Sequence, residues 1–320
     1  MDLNTARRSR NEIRATVDAT VVARGIEEVP KVAFGIATTA APNDFKIAVR
    51  ARSPEDLPPE IDEKIRTEGG KDIDFQYTGP VEARPHTVGE VPQSGKRLAS
   101  GASVAHYRCT AGTLGFFAQR NSDRAIGFVS NNHVIALEDA GREGDEILHP
   151  APSDAGVRWR DAVAFLDGRY PKIHQQHVVV DAAFARLAPG VAFDPRIQGK
   201  KIVTVSPDAI SADLELDVCK VGRSTGLTRG RITAFEFEPF YIEYSFGSVR
   251  AENQIEIESS SEQSFSVSGD SGSLIVSAGS RQPLGLLFAK SAVGGKYENG
   301  LSYANPIDAV LEALGVTLIT

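Results

Sequence analysis

Ser268-Gly269-Asp270-Ser271-Gly272-Ser273 leads directly into the apolar run Leu274-Ile275-Val276. A serine between two glycines sits on a tight turn that presents its hydroxyl, and small neighbours let a carbonyl approach the backbone. A bare serine is a poor nucleophile. It needs a base, and donors for the oxyanion that develops when it attacks a carbonyl. The turn offers such donors in the amides of Gly269 and Ser271. An ordinary Gly-Asp-Ser turn looks the same in isolation, so the reading depends on a base and an orienting acid elsewhere in the chain.

Both are present. His133, one of six histidines, follows Ile126-Gly127-Phe128-Val129-Ser130-Asn131-Asn132 and precedes Val134-Ile135-Ala136. That pattern predicts a buried strand, a polar turn carrying the imidazole, and a short helical turn. Imidazole is the side chain that titrates nearest neutral pH, which suits a base. Asp181 lies in Val178-Val179-Val180-Asp181-Ala182-Ala183-Phe184, where a carboxylate is costly without a partner. A histidine N–H is one such partner, and the contact would fix the tautomer a base needs. Asp161, in Trp159-Arg160-Asp161-Ala162-Val163, competes for the role, but the run around Asp181 is longer and more apolar.

Together these segments resemble the chymotrypsin-like (trypsin-like) serine endopeptidases. The order His, Asp, Ser is that clan's, and differs from the subtilisin and α/β-hydrolase orders. Ser130-Asn131-Asn132-His133-Val134 stands where the family carries its histidine motif, Val179–Leu187 where it carries DxAxxxL, and Ser268–Ser273 where it carries GDSGG. Lys220-Val221-Gly222-Arg223-Ser224-Thr225-Gly226 looks like the second-barrel hairpin of bacterial members, and Leu284–Ala289 like the strand beside the primary specificity pocket. The wording is nearest a bacterial and plant trypsin-like subgroup that includes the plant narrow-leaf trypsin-like protein.

The resemblance implies a mainly β fold: a chymotrypsin-like double antiparallel β-barrel with a C-terminal helix. It implies that Ser271 attacks the scissile carbonyl, that His133 carries the proton, and that Asp181 orients the imidazole. The amides of Gly269 and Ser271 form the oxyanion hole, the substrate is a protein or peptide, and no metal or organic cofactor takes part. The substrate pocket is expected at Phe265, Phe288, Ala289 and Lys290, with Phe265 as its floor and no carboxylate to receive a basic residue. Lys290 stands where the subgroup more often has glycine. It is expected either to favour an acidic or polar residue before the cut, or to lie along the surface with its ammonium in water. Asp270 requires a cationic partner in the family. With no mature start such as Ile-Val-Gly-Gly, that cation is expected inside the chain.

Two other classes of function compete. A protease-like scaffold could serve a partner protein while catalytically latent, although a complete triad is of no use to a scaffold. An esterase would use the same acyl-transfer groups.

The 320 residues carry a net charge of −7, which argues against general nucleic-acid affinity. No apolar run approaches the ~18 residues of a membrane span, and the first residues lack the apolar core of a secretory signal. The two cysteines, Cys109 and Cys219, read as small buried hydrophobes in a reducing compartment, although a bridge between them is an open alternative. A cytoplasmic bacterial protein is expected. His174 and His177 have no Cys or carboxylate cluster beside them and read as a polar loop.

Residues 1–79 read differently from the rest. Apolar residues four apart predict a helix over Asn4–Val22. Strands over Lys31–Thr38 and Asp44–Arg52, a helix from Pro59 to near Gly69, and a strand over Asp72–Tyr77 complete a small α+β module with a three-stranded sheet. This module is expected to be the contact point for any regulatory protein partner. Residues 80–100 are rich in Pro, Gly and charge and read as a linker. The first barrel is expected over 101–190 and the second over 191–320. Asn305 is expected to cap a final helix that Gly315 ends.

Overall fold

The computed structural model describes residues 1–24, 31–83, 98–174, 177–178, 180–203, 216–238 and 240–320. Most of the expected linker, His86 and the side chain of His177 lie outside these residues.

Helix α1 (Leu3–Arg24) buries Ala6, Arg10, Ile13 and Val17. Strands β1 (Val32–Thr38) and β2 (Phe45–Ala51) form a hairpin whose turn places Asn43 at φ 55°. Helix α2 (Pro59–Gly69) starts on a proline, which loses nothing at a position whose N–H has no helical partner. Its Ile61 and Ile65 are buried against Ile13, Val17 and Ile47. Strand β3 (Ile73–Tyr77) lies parallel to β2. A further short strand, β4 (Val81–Glu82), follows.

The next strands are β5 (Ser103–His106), β6 (Gly112–Thr113), β7 (Phe116–Arg120) and β8 (Ile126–Ser130), then helix α3 (Asn132–Ile135). Strands β9 (Glu146–Leu148), β10 (Ala162–Leu166) and β11 (Ala183–Leu187) complete the first half. They pair in the order β6-β5-β9-β10-β11-β8-β7. The two ends of this ladder do not pair with each other, so it is a half-barrel.

The second half contains β12 (Asp217–Gly222), β13 (Gly226–Glu238), β14 (Phe240–Tyr244), β15 (Gly247–Ala251) and β16 (Gln254–Ser259). Strands β17 (Leu274–Ser277), β18 (Pro283–Ser291) and β19 (Ser302–Pro306) follow. Here the ladder closes: β12-β13-β16-β19-β18-β17 and back to β12, antiparallel throughout. Closure removes unpaired sheet edges and makes a rigid frame. Helix α4 (Ile307–Leu314) buries Ile307, Val310 and Leu314, and Gly315 ends it at φ 60°. Strand β20 (Val316–Leu318) then returns to β7, tying the last residues to the first half. The chymotrypsin-like double-barrel architecture expected from the sequence is the architecture observed, with one half closed and one half open. Among the described residues no helix is long and apolar enough to cross a membrane.

Two details depart from the sequence reading. Asn305 does not cap α4; its side chain accepts from the Asp181 amide at 3.0 Å and donates to Gln254 at 2.7 Å. Burial between two strands gives its amide those partners before the helix begins. The front strands do not form a sheet of their own. Strand β13 outruns its barrel neighbours, and its far end pairs antiparallel with β1, so the front sheet extends the barrel sheet. Arg50 on β2 reaches across this seam to Glu256 on β16 with two bonds of 2.8 Å, and to Asp74 at 2.7 Å. Burial works against its charge, but Glu256 and Asp74 more than offset it and hold the guanidinium above its ordinary pKa.

Candidate active site

The site lies where the half-barrel meets the closed barrel. Strand β8 ends at Ser130, and the backbone turns at once into α3, so His133 is held by a strand end and a helical turn. The imidazole is buried. Its Nδ1 lies 2.6 Å from Asp181 Oδ2, and the His133 amide donates to Asp181 Oδ1 at 3.2 Å. A carboxylate only accepts, so Nδ1 carries the proton and Nε2 is the basic nitrogen. Nε2 is buried and has no hydrogen-bond partner among the described residues.

Asp181 stands just ahead of β11, between the buried Val180 and Ala182. Its backbone is pinned on both sides: Asn131 Nδ2 donates to its carbonyl at 2.7 Å, and its amide donates to Asn305. The Tyr244 hydroxyl donates to Oδ2 at 3.0 Å. The competing Asp161 is elsewhere, paired with Arg160 and the Val157 amide.

Ser271 lies on the turn that leads into β17 and is 9% exposed. Gly269 and Gly272 flank it at φ 93° and 95°, where L-residues are strained. A Cβ on Gly269 would collide with Ser224 and Arg223, and one on Gly272 with Ser130 and the Thr113 carbonyl. Thr113 of the half-barrel clamps the turn. Its amide donates to the Ser271 carbonyl and its Oγ1 to the Gly269 carbonyl, each at 2.8 Å. Ser130, three residues before His133, donates to the Thr113 carbonyl at 2.7 Å. The turn is thereby fastened beside the histidine. The amides of Gly269 and Ser271 donate to no group among the described residues, so both remain for a ligand. No hydrogen bond joins Ser271 Oγ to His133 Nε2. Such bonds are often loose in unliganded sites and tighten on binding.

Asp270 is fully buried and points back into the barrel. Its carboxylate accepts from the amides of Ser224 at 2.8 Å, Thr225 at 3.1 Å and Val267 at 3.0 Å, and from Thr225 Oγ1 at 2.7 Å. Lys220 Nζ completes the set at 3.2 Å, itself wholly buried. The internal cation expected for Asp270 is therefore Lys220. Burial pulls the Lys220 ammonium below the ordinary lysine pKa, and Asp270 opposes that pull.

A pocket of about 290 Å³ opens beside Ser271, walled by Leu287, Ala289 and Lys290 of β18 and by Pro80 and Glu82 of the front segment. Of the four residues expected at a substrate pocket, Ala289 and Lys290 line this cavity, and Phe265 and Phe288 do not. Phe288 sits at an irregularity in the pairing of β18 with β19 and is buried in the cluster that contains Phe240 and Tyr303. Phe265 lies in the barrel core with Lys220 Nζ 5.7 Å from its ring centroid. Lys290 does not trail along the surface: its Nζ donates to Ser264 Oγ at 3.1 Å, and burial lowers its pKa. Glu82 also corrects the expectation of a pocket without a carboxylate. It arrives because β4 pairs with β18, Glu82 opposite Lys290 and Val81 opposite Ser291.

With this geometry in place, known proteins can be set beside it. The Nal1 C-terminal domain family matches residues 200–310. Protein NARROW LEAF 1 of Oryza sativa subsp. japonica is 26% identical over 254 residues, covering 70% of this chain and 42% of that protein. The chain thus spans less than half the length of this curated relative. Similar solved structures include protease A of Thermobifida fusca, at 17% identity and a TM-score of 0.47, covering 70% of this chain and 99% of that one. The chymotrypsin of Cellulomonas bogoriensis is 20% identical with a TM-score of 0.46, at the same two coverages.

Sequence reasoning missed Thr113, Tyr244, Asn305 and Glu82. Tyr244 left a trace: Phe240, Ile242 and Tyr244 alternate inward along β14, and the last of an inward series carries a hydroxyl that burial obliges to find a partner. Asn305 and Glu82 left none. Their roles come from pairings with strands far away in the chain. Cys109 and Cys219 are buried and not bridged to each other; burial pushes the Cys109 thiol up to about 11. His174 meets Asp139 at 3.0 Å, and no metal-binding cluster occurs among the described residues.

Proposed function

We propose that the protein is a serine endopeptidase of the trypsin-like kind, with His133, Asp181 and Ser271 as its triad. One observation carries the reading. A buried carboxylate holds one imidazole nitrogen at 2.6 Å and leaves the other without a partner, beside a serine turn with two undonated amides. Those are the parts acyl transfer needs.

In this reading Ser271 Oγ attacks the scissile carbonyl as its proton passes to His133 Nε2. The carbonyl oxygen takes the negative charge and is received by the Gly269 and Ser271 amides. The C–N bond breaks, and Nε2 returns the proton to the leaving amine. Water, deprotonated by Nε2, then cleaves the acyl ester. Asp181 keeps its charge throughout and favours the imidazolium. The steps need no cofactor.

Membership in the bacterial and plant subgroup belongs to the same proposal, supported by the 26% identity to the rice protein and the domain match. A cytoplasmic site is part of it too; two buried, unbridged cysteines suit a reducing compartment. Cell fractionation would check that, and recovery outside the cytosol would overturn it. The substrate is a protein or peptide, and residues 1–79 serve regulation and partner binding, since the segment that follows them builds part of the pocket wall.

The test is covalent. A fluorophosphonate should modify the folded protein at Ser271, located by mass spectrometry of the labelled peptide. Labelling at another serine, or none, contradicts the reading. A second reading, a latent protease-like scaffold, is favoured by one fact: Ser271 and His133 are not hydrogen-bonded. It calls for labelling only when a partner is present.

Lys290 sets a specificity expectation. With its ammonium beside Ser264 at the pocket wall, Lys290 should favour an acidic or polar residue before the cut, and Glu82, opposite it on β4, opposes that preference. Lys290→Gly should reduce that preference by about tenfold, the worth of one charge-assisted hydrogen bond. A cleavage-site profile unchanged by the substitution sinks the idea.

A further inference from the structure

We propose that Tyr244 is a positioning residue for the His133–Asp181 pair, delivered by the hairpin of β14 and β15. Its hydroxyl donates to Asp181 Oδ2, the same oxygen that faces His133 Nδ1. The carboxylate is thereby held from three directions: Nδ1 and the Tyr244 hydroxyl on Oδ2, and the His133 amide on Oδ1. Without the Tyr244 hydroxyl, both remaining bonds to the carboxylate would come from His133 itself, and no other described residue would set its plane. With all three in place, its plane is set toward the imidazole.

The hydroxyl is built to stay. Tyr244 is 4% exposed, and burial, with Asp181 next, pushes its phenol well above its ordinary pKa. It therefore donates at any pH the fold tolerates. Its ring is fixed by stacking on Phe246, with centroids 5.5 Å apart and planes at 9°, and Phe246 stacks in turn on His174 at 3.7 Å. Its edge meets the His133 ring at 6.3 Å. The hairpin itself is fastened: Ser245 donates to Glu138, and Glu243 pairs with Lys31 at 3.3 Å and Arg52 at 2.8 Å on the front module.

Packing alone would be served by phenylalanine. What tyrosine adds is a donor that disperses the charge of Asp181. A more dispersed carboxylate stabilises the imidazolium less, so the hydroxyl trades some proton affinity at Nε2 for fixed geometry. The other ionisable groups around the pair are Glu138 and Asp139 after α3, His174 from the following loop, and Cys109, whose Sγ approaches the His133 carbonyl at 3.8 Å. All are present in wild type and variant alike, so a change on removing the hydroxyl reports the hydroxyl.

The kinetic consequence rests on the peptidase reading; the titration does not. The experiment is therefore a histidine NMR titration of the full chain, with the His133→Gln spectrum identifying its signals among the six histidines. Tyr244→Phe should raise the His133 midpoint by roughly 0.5–1 unit. Placing 3,5-difluorotyrosine at 244, a stronger donor of similar shape, should lower it, and it decides the matter if Tyr244→Phe does not fold. Fluorophosphonate labelling rates against pH should move their acid limb in the same directions. Midpoints unmoved by either change overturn the proposal. Midpoints that move while wild type never labels uphold the positioning role and sink the peptidase reading instead.

Discussion

Ser271→Ala and His133→Ala should each lower peptide hydrolysis by about four orders of magnitude or more, while the protein stays folded. The losses should not add. The serine hydroxyl and the imidazole act as one unit, so once either is gone the other has nothing to pass a proton to or take one from, and the double variant should be no slower than the worse single one. Residual activity should remain above the uncatalysed rate, because in the proposed mechanism the Gly269 and Ser271 amides, unpartnered among the described residues, would still receive the oxyanion. His133→Ala also leaves Asp181 buried with Tyr244 as its remaining side-chain donor, so some loss of stability accompanies the loss of rate. Initial rates on a peptide mixture, with circular dichroism as the control for folding, make the comparison. Single variants that keep more than about a tenth of wild-type activity would place the chemistry elsewhere, since loss of either group removes the proton transfer that most of the rate depends on.

Lys220→Ala should be the most damaging change away from the reacting atoms. Lys220 and Asp270 are both wholly buried, and Asp270 sits between the two residues whose amides have no partner among the described residues. Removing the lysine strands a buried carboxylate, which costs about 3–5 kcal/mol in proteins generally. Four neutral donors remain on Asp270, so the lower part of that range is expected here. The functional loss should be larger than the stability loss suggests, because a carboxylate that shifts to find water drags the turn, and with it the Gly269 and Ser271 amides. Denaturant unfolding reads the first effect and fluorophosphonate labelling rate the second. The control is Lys220→Met combined with Asp270→Asn, which leaves no unpaired charge and should recover most of the stability. A Lys220→Ala protein within about 1 kcal/mol of wild type would mean that the neutral donors suffice. Because the cation is part of the folded chain, labelling should need no prior cleavage; an obligatory cut near residues 80–100 would overturn that.

The parts of the site that were legible in the sequence are those whose signals are local. A strand running into a polar turn announces His133, an isolated carboxylate in an apolar run announces Asp181, and paired glycines announce Ser271. The alternation of β-strands and the amphipathic spacing of α1 and α2 are local in the same sense. What was not legible depends on pairing at long range. Glu82 enters the pocket because two residues of β4 happen to lie against β18, a contact some 200 residues apart in sequence that no short pattern encodes. Phe265 and Phe288 were assigned to the pocket by the resemblance of Leu284–Ala289 to the strand beside the specificity pocket and by the place of Phe265 six residues before Ser271. Phe265 lies outside any strand and is buried in the barrel core, and Phe288 sits at an irregularity in the β18–β19 pairing, so neither placement could be read from a local pattern. Asn305 looked like a cap because caps are common ahead of helices, and a buried partner took it instead.

Arg50 has a consequence for how the molecule comes apart. It sits in the front sheet, and its charge is matched by a carboxylate inside the closed barrel, with essentially no water at either end. Separating the two would leave Glu256 with only the Thr233 and Tyr303 hydroxyls and Arg50 with Asp74 as its only carboxylate among the described residues, in addition to breaking the ladder between β1 and β13. The front segment therefore has no cheap way to melt first. Heating should give one calorimetric transition whose van't Hoff and calorimetric enthalpies agree, with residues 1–79 losing structure together with the barrel. Two resolved transitions would mean that the seam is weaker than its ion pair suggests. If the transition is single, a substitution anywhere along α1 or α2 reaches Ser271 as a change in the population of folded molecules, and cooperativity, with no conformational signal, links the two ends of the chain.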